Sequence, residues 1–378
     1  MDFYKINSTN HLRDFLDIGC DKIGAKIMEK KAKIHMLYIK NMHFGGANIL
    51  KQDALSIGAE LVVPAGAVIG SDKYIDAILI GNTKHFEILS KKELSQPFGL
   101  KELAIHLQSY IKPNKFKTKI MGVLNANDDS FFAKSRFSTN DTISKIMTMI
   151  NDGADIIDIG GVSSRPGSIG ISEDEELLRV KDILLTIKEE KLYQKIDFSI
   201  DSFSPKVVEY ALECGFRIVN DITGLSNPKL AQLASKYNAS VVIMHMQGNQ
   251  TNMQDNPIYE DVVLEIDQFF ATRIETALEY GVKDIILDVG IGFGKTLEHN
   301  LKLIKHLDTF RHFGYELLLG ASRKSMISEI VPSTIEERLS GTLAIHIEGI
   351  KNGASIIRCH DVKEHHQALK VLQKIDEI

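Results

Sequence analysis

The pattern of hydrophobic and polar positions changes near residue 119 of this 378-residue chain. From Lys119 onward, short apolar runs of the buried-strand type alternate with longer segments of helical period. The eight runs cover residues 120–125, 155–161, 198–201, 217–222, 240–245, 284–290, 317–322 and 355–361. The pattern therefore predicts eight strands with a helical segment after each.

Helix start signals lie between these runs. Ser172, followed three residues later by Glu175, predicts a capping box for an amphipathic helix over Glu173–Ile187. Ser204 and Pro205 show the order of a cap residue followed by a first-turn proline. Both signals place a helix directly after a predicted strand.

Eight strands alternating with helices over roughly 260 residues predict an α/β fold of the (β/α)8 TIM-barrel type. The runs are almost continuously apolar, as expected of parallel strands that are covered on both faces. The alternative is a doubly wound open sheet, which the eightfold count disfavours.

Residues 1–112 show a different pattern. Helical stretches mix with short strand-like runs at 59–63 and 77–80, and a helix is predicted over Leu100–Tyr110. Residues 112–115, Lys-Pro-Asn-Lys, have the composition of a linker. We predict a small N-terminal α/β domain over 1–112, of unknown role and without visible catalytic residues, before a barrel domain over 116–378.

Composition excludes several classes of protein. A net charge of -5 argues against a nucleic-acid partner. The longest apolar runs are too short to span a bilayer, and the first residues lack a signal-peptide core, so no membrane partner is expected. Three widely spaced cysteines suggest neither a disulfide framework nor a zinc site, which favours the cytoplasm.

Polar side chains follow the predicted strands at the point where each strand ends. They include Asn125, Asp201, Asn220, His245, Asp288, Lys324, Arg358 and His360. In a barrel, the carboxyl ends of all strands open into one mouth, where such enzymes place their chemistry. If these positions only marked the ends of strands, we would expect mixed turn-forming residues such as Ser, Asn and Gly. The repeated Asp, Asn, Lys, Arg and His side chains instead indicate a ligand site.

The residue types indicate the ligand. Carboxylates at Asp201 and Asp288 beside the amide of Asn220 suit the edge of a flat, amino-rich heterocycle. Lys324 and Arg358 suit a phosphorylated or carboxylated substrate. The run Gly-Ile-Gly-Phe-Gly-Lys at 290–295 lacks the spacing of a phosphate loop and is better explained as a tight glycine turn.

From about residue 119 to 376, the chain resembles the dihydropteroate synthase family. The similar segments are I-M-G-V-L-N at 120–125, I-D-I-G-G at 157–161, S-R-P-G at 164–167, F-S-I-D-S at 198–202, I-V-N-D-I at 218–222, M-H-M-Q-G-N at 244–249, L-D-V-G-I-G-F-G-K at 287–295, S-R-K-S-M-I at 322–327 and R-C-H-D-V-K-E at 358–364. Each segment is short, but their order and spacing together are specific.

The resemblance implies an activity and roles for individual residues. The enzyme would join a dihydropterin diphosphate to para-aminobenzoate, would be a homodimer and would be the target of sulfonamides. The pterin diphosphate would be bound by Asp201, Asn220, Met244, Asp288, Lys324, Arg358 and His360, of which Lys324, Arg358 and His360 are the catalytic candidates. Para-aminobenzoate would contact Ser164, Arg165, Pro166, Phe293 and Ser322. Asn125 would hold Mg2+ near the diphosphate.

The sequence departs from the family pattern in its loops. The segment after Asn125 lacks the usual proline and glycines, Val162 stands where a glutamate is usual, and Val289 replaces a proline. Residues 1–112 have no counterpart in the short bacterial enzymes. Two alternatives therefore stay open: a pterin-binding protein without synthase activity, and a barrel that passes a folate methyl group to a corrinoid.

Overall fold

The computed structural model describes residues 1, 11–70, 72–112, 114–126, 137–162 and 171–377. The chain divides into two compact units, Met1–Asn114 with Leu372–Ile378, and Lys115–Val371. The boundary after Asn114 lies within the predicted linker. The last residues, 372–378, group with the first unit, whereas the sequence placed them in the barrel domain.

The first unit contains a three-stranded antiparallel sheet. Its strands are β1 (Ile34–His43), β2 (Glu60–Val62) and β3 (Tyr74–Asn82), in the order β1-β3-β2. Its helices are α1 (His11–Asp17), α2 (Lys22–Ala32), α3 (Phe44–Ser56), α4 (Thr83–Lys92) and α5 (Leu100–Ile111). Alternate residues of β3, among them Ile75, Ala77 and Leu79, are buried in one core with Phe86 and Leu107. The predicted α/β character of this region is confirmed.

The second unit is a closed barrel of eight parallel strands. These are β4 (Lys119–Asn125), β5 (Ile156–Gly160), β6 (Asp197–Asp201), β7 (Ile218–Asp221), β8 (Ser240–Met244), β9 (Ile285–Asp288), β10 (Glu316–Leu319) and β11 (Ile356–Cys359). Pairing of Ile357 with Ile120 joins β11 to β4 and closes the barrel. The open-sheet alternative is therefore wrong, and all eight predicted strands are present.

Helices follow the strands along the chain. They are α6 (Phe137–Asn151), α7 (Glu173–Glu189), α8 (Pro205–Glu213), α9 (Pro228–Tyr237), α10 (Val262–Glu279), α11 (Leu297–Lys305), α12 (Ser325–Ile330), α13 (Leu339–Lys351) and α14 (Val362–Asp376). Ser172 caps α7 by accepting a hydrogen bond from the Glu175 amide, and Ser204 caps α8 with Pro205 in the first turn. Both predicted helix starts are confirmed. In the described part of the chain, no helix has the length and apolar character needed to cross a membrane.

The barrel interior is filled by a layer of apolar side chains. One residue from each of seven strands forms it: Met121, Ile156, Ile218, Val242, Ile286, Leu318 and Ile356. Side chains two positions further along a strand point to the same side of the sheet. The positions two residues after this layer therefore face the interior at the carboxyl ends of the strands, and this upper interior layer builds the site.

Candidate active site

The upper interior layer carries charged and amide side chains beside apolar ones. Two residues beyond the apolar layer, the strands carry Asp158, Asn220, Met244, Asp288 and Arg358. Strand register places Asp201 beside Asn220 and Met244 beside Asp288. Five of the predicted pterin-site residues, Asp201, Asn220, Met244, Asp288 and Arg358, thus meet at one end of the barrel.

Arg358 lies at the centre of this layer. Its Nε donates to Asp158 Oδ2 at 2.7 Å, and its Nη2 donates to Asp201 Oδ2 at 2.7 Å. Both carboxylates raise the pKa of Arg358, although burial opposes them. A planar guanidinium held by two carboxylates has a fixed orientation, and its charge stays in the site.

Asp158 is completely buried, with an exposed fraction of 0%. Its Oδ2 also accepts a hydrogen bond from Asn220 Nδ2 at 3.1 Å, so this carboxylate orients two site residues at once. Its Oδ1 is buried and has no hydrogen-bond partner among the described residues. An unsatisfied buried carboxylate oxygen is costly, and a ligand that brings a donor would relieve this cost.

Two carboxyl groups of the mouth, those of Asp201 and Asp288, have raised pKa values. Burial, reinforced by the like charge of Asp158, raises the pKa of Asp201 to about 7, against the opposing effect of Arg358. Burial also raises the pKa of Asp288, although the Gly290 amide, which donates to Asp288 Oδ1 at 2.8 Å, opposes it. Buried acids with displaced pKa values are typical of functional sites.

A glycine turn follows β9. Gly290, Gly292 and Gly294 have φ angles of 69°, 81° and 63°, in the left-handed region that favours glycine. A Cβ at Gly290 would collide with the main-chain oxygen of His245, so this glycine allows the turn to pack against the loop after β8. The predicted glycine turn is confirmed.

The turn places Phe293 at the site. Phe293 packs with Ile222, Met244 and Met253, and Lys324 Nζ lies 4.3 Å from the centre of its ring. A cation at this distance over an aromatic face is attracted to the ring. An apolar wall and a positive charge therefore lie next to each other.

Lys295 does not serve as a phosphate-loop lysine. It is 3% exposed, and its Nζ lies 3.0 Å from His245 Nδ1, 3.2 Å from His245 O and 2.9 Å from Phe293 O. Burial lowers the pKa of Lys295 to about 7 and that of His245 to about 2. Lys295 thus ties the loop after β8 to the turn after β9, which fixes Phe293.

The loops after β10 and β11 are linked to each other. Ser322 Oγ lies 2.9 Å from His360 Nδ1 and accepts a hydrogen bond from the His360 amide at 3.2 Å. Arg323, at a φ of 55°, donates through Nε to Asp361 Oδ2 at 3.0 Å and through Nη2 to Asp361 Oδ1 at 2.5 Å. Two predicted site residues, Ser322 and His360, are therefore in direct contact.

The remaining predicted residues have different outcomes. Asn125 ends β4 in register with Gly160, at the same end of the barrel. Ser164, Arg165 and Pro166 lie outside the described residues. Cys359 is a fully buried strand residue whose pKa is raised by burial, as expected of a thiol without a catalytic role.

Sequence reasoning missed Asp158, which was visible only as part of the motif I-D-I-G-G. Strand alternation could have found it, because Ile156 is buried in the barrel interior and Asp158 lies two residues further on. Lys295 and His245 were seen in motifs, but their contact joins residues 50 positions apart and has no local signal. The same holds for the link between Arg323 and Asp361.

Comparison with known proteins agrees with this geometry. The family model described as "Pterin binding enzyme" matches residues 121–360. A Helicobacter pylori protein named "Bifunctional dihydropteroate synthase/dihydropteroate reductase" is 40% identical over 361 residues, which are 95% of each chain. The chain belongs to the dihydropteroate synthase family. The dihydropteroate synthase of Escherichia coli K12 is 40% identical over 259 residues, 67% of this chain and 90% of that protein.

A solved structure supports the assignment. The Clostridium difficile dihydropteroate synthase, crystallised in the presence of pteroic acid, matches with a TM-score of 0.64 at 39% identity and covers 69% of this chain and 98% of that one. The predicted family, the TIM-barrel fold and the enzyme activity are confirmed. The Escherichia coli relative matches about two thirds of the chain, whereas the Helicobacter pylori relative matches nearly all of it.

Proposed function

We propose that this dihydropteroate synthase condenses 6-hydroxymethyl-7,8-dihydropterin diphosphate with para-aminobenzoate at the upper interior layer of the barrel. The observation that supports this most strongly is the layer itself, in which carboxylates, an amide and a guanidinium are buried and connected. The products are 7,8-dihydropteroate and diphosphate.

The pterin ring fits the carboxylate side of the site. A pterin presents an amino group and a ring N–H on one edge, and these donors match the acceptors of Asp288 and Asn220. Because Asn220 Nδ2 donates to Asp158, the carbonyl oxygen of the Asn220 side chain is the atom available to accept from the ring. Lys324 would donate to the neighbouring ring carbonyl.

Arg358 and His360 would hold the leaving diphosphate. Ser322 Oγ accepts the amide hydrogen of His360, and its hydroxyl hydrogen suits His360 Nδ1 as acceptor. This arrangement leaves the proton of a neutral His360 on Nε2, where it would donate to a phosphate oxygen. Donors aimed at an oxygen that gains charge stabilise the departure of the group.

The reaction then requires orientation more than a strong base. The bond between the pterin methylene carbon and the diphosphate oxygen breaks with its electron pair going to diphosphate. The amine nitrogen forms the new bond and loses one proton to the departing diphosphate or to water. The aromatic amine is neutral at pH 7 and needs no activation. Phe293 and Ser322, together with Ser164, Arg165 and Pro166, would hold its ring in line with the methylene carbon.

Asn125 could serve as a single protein ligand of Mg2+. An amide oxygen is a ligand type that Mg2+ accepts, and the ion commonly keeps water and phosphate oxygens as its other ligands. Among the described residues, no group of three His, Cys, Asp or Glu side chains could hold a metal. We infer that the ion arrives with the diphosphate, whose charge it would neutralise, while Asn125 orients the complex.

The direct test is to incubate the protein with both substrates and Mg2+ and to measure dihydropteroate by chromatography together with released diphosphate. We expect the two products in equal amounts and neither when para-aminobenzoate is omitted. Pterin binding without any product would favour the non-catalytic alternative. Methyl transfer from a methylated folate to a corrinoid would favour the other alternative.

One observation favours a second activity. The Helicobacter pylori relative that carries a reductase activity in its name matches 95% of this chain, far more than the Escherichia coli synthase does. We propose that this chain also reduces dihydropteroate. A hydride from a reduced nicotinamide or dihydroflavin would add to C6 of the pterin, and a proton would add to N5, while the donor is oxidised.

The reductase proposal is tested by supplying dihydropteroate with NADH or NADPH, each with and without added flavin. Formation of tetrahydropteroate and oxidation of the donor should occur in equal amounts. Recovery of unchanged dihydropteroate with every donor would contradict the proposal. Synthase activity is measured on the same preparation, so that an inactive sample is recognised.

We further propose that the protein is a homodimer of the cytoplasm. The three cysteines are free, and Cys214 and Cys359 are buried, which suits a reducing compartment. Light scattering at micromolar concentration should give twice the 42.2 kDa mass of the chain. A mass equal to one chain at all concentrations would contradict the dimer.

A further inference from the structure

Two buried histidines lie behind the mouth of the barrel. His346 belongs to α13 and His365 to α14, and their exposed fractions are 1% and 2%. Their ring centres are 4.9 Å apart. Neither residue was singled out by the sequence patterns, and neither has a part in the binding roles described above.

The two rings form a chain of hydrogen bonds with a defined direction. The Ala321 amide donates to His346 Nε2 at 3.1 Å, so this nitrogen carries no proton. His346 Nδ1 must then carry the proton and donate to His365 Nε2 at 2.7 Å, and His365 Nδ1 donates to the carbonyl oxygen of Asp361 at 2.6 Å. This chain from Ala321 through both histidines to Asp361 is called the histidine relay below.

The ends of the relay lie beside two residues of the proposed site. Ala321 directly precedes Ser322, and Asp361 directly follows His360. Ser322 and His360 are themselves in hydrogen-bond contact. The relay therefore joins the main chains of the two loops behind the point where their side chains meet.

We propose that His346 and His365 are positioning residues that set the distance between Ser322, at the para-aminobenzoate side, and His360, at the leaving diphosphate. This inference rests on the proposed function. It assigns no contact with substrate to either histidine. A rigid link is useful here because small displacements of orienting groups cause large losses of rate.

The relay works only with two neutral rings. A proton on His346 Nε2 would face the Ala321 amide, and a proton on His365 Nε2 would face the proton of His346 Nδ1. Burial lowers the pKa of His346 well below its usual value and lowers that of His365. Asp361 and Glu364 oppose the lowering of the His365 pKa without overcoming it. The charge of a protonated His365 would lower the pKa of His346 further.

The same direction of hydrogen bonding can be built without titratable groups. A double variant, His346→Gln with His365→Gln, offers an acceptor to the Ala321 amide, a donor-acceptor pair between the two side chains, and a donor to Asp361. His365→Leu instead removes the relay at similar volume. His312→Leu serves as the matched control, because His312 is a mostly buried histidine paired with Asp267 at 2.6 Å and lies on a different part of the barrel.

The experiment measures kcat and the KM for para-aminobenzoate at saturating pterin diphosphate from pH 5.5 to 8. Melting temperatures report whether each variant is folded, and titration with 6-hydroxymethylpterin measures its pterin affinity. For His365→Leu we expect kcat/KM to fall by about tenfold. The pterin affinity of this variant should stay within about twofold of the wild-type value. Because burial lowers the pKa of both histidines, the wild-type KM should stay level near the usual histidine pKa of 6.5 and rise only towards the acid end of this pH range, and the double glutamine variant should lose this rise.

His312→Leu should change the melting temperature without changing kcat/KM. A folded His365→Leu protein with wild-type kcat/KM, or a double glutamine variant that keeps the acid rise in KM, would overturn the relay proposal and leave the synthase function intact. If His365→Leu does not fold, the pH profile of the glutamine variant decides. A wild-type protein that makes no dihydropteroate would overturn the proposed function, and the relay proposal with it.

Discussion

The two ends of the barrel carry similar numbers of charged side chains but differ in how far these side chains are exposed to solvent. At the amino-terminal ends of the strands, Lys119, Asp197, Arg217, Asp284 and Glu316 line a cavity of about 210 Å3. Its ion pairs are Lys119–Glu316 at 3.0 Å and the longer, largely exposed Arg217–Asp197 at 3.9 Å. At the carboxyl ends, the charges are buried.

The difference is one of cost. The ion pairs at the amino-terminal end are partly or largely exposed, and ion pairs that keep contact with water contribute little to stability and need no functional reason. Burial of Asp158, at 0% exposure, and Asp288, at 6%, carries a desolvation penalty that folding alone would not favour. Charges along a strand therefore do not identify a site by themselves, whereas charges that are buried together do.

The largest expected effect comes from Asp288→Asn. The change replaces an acceptor by a donor facing the pterin edge, and we expect a loss of about 100-fold in pterin affinity, or about 3 kcal/mol. The matched control is Asp284→Asn, four residues earlier on the same segment and exposed at the other end of the barrel. Pterin titration by calorimetry measures both. Equal losses for the two variants would refute the distinction between the ends.

A smaller loss is expected for Asp158→Asn. The asparagine oxygen, in the place of Oδ2, can still accept from Arg358 and Asn220. The charge that holds Arg358 is lost, however, and the amide nitrogen puts a donor where Oδ1 offered an acceptor to a ligand. We expect the KM for pterin diphosphate to rise by about 30-fold. Glu316→Gln, which breaks the partly exposed ion pair with Lys119 at the other end of the barrel, should leave this KM unchanged. Steady-state kinetics on both variants gives the answer, and an unaltered KM for Asp158→Asn would remove its positioning role.

Asn125→Ala tests the metal role. Because the ring is held elsewhere, we expect kcat to fall by about tenfold while the affinity for a pterin without diphosphate stays the same. The measurement is turnover against Mg2+ concentration, together with binding of that pterin. Normal turnover at all Mg2+ levels would contradict the metal role, and loss of ring binding would instead place Asn125 in the pterin pocket.

The pH dependence of the free energy of unfolding should reveal the cost of ionising the buried carboxyl group of Asp201. Its folded pKa of about 7 lies above the ordinary value of 3.8, so the folded state holds the proton more tightly than the unfolded state does. Stability from this group is therefore full below pH 3.8 and decreases as the pH rises towards 7, by about 4 kcal/mol. Denaturant unfolding at several pH values should show this decrease in wild type and a smaller one in Asp201→Asn.

The smallest effect is expected from removing residues 1–114. A fragment that starts at Lys115 retains every described residue of the mouth, so we predict that it keeps synthase activity if it is soluble. A folded fragment that binds pterin but makes no dihydropteroate would mean that residues 1–114 complete the active site. Comparison of the fragment and the full chain in the reductase assay then shows whether the second proposed activity needs the first unit.

The strands could be predicted because their signal is local. Apolar runs and helix caps at Ser172 and Ser204 determine where each element begins, and the polar residue at each strand end follows from the same pattern. The motifs then identified most residues of the mouth. What the sequence could not supply was the pairing of these residues across the barrel.

Long-range contacts account for what was missed. Arg358 and Asp158 are 200 positions apart in sequence, and no local pattern indicates that they form an ion pair. The histidine relay depends on the packing of α13 and α14 behind two loops. Lys295 bonds to His245 and Phe293, and the glycine-rich run that contains it gives no sign of the contact with His245. Strand alternation would have indicated that Asp158 points inward, but not what it binds.

A crystal structure of the protein with 6-hydroxymethylpterin would test the central claim most directly. The account predicts the ring in the upper interior layer, with its amino edge within hydrogen-bond distance of Asp288 and Asn220 and with Asn220 still bound to Asp158. A ring bound in the cavity between Lys119, Asp197 and Asp284, or anywhere else away from Asp288, would contradict it.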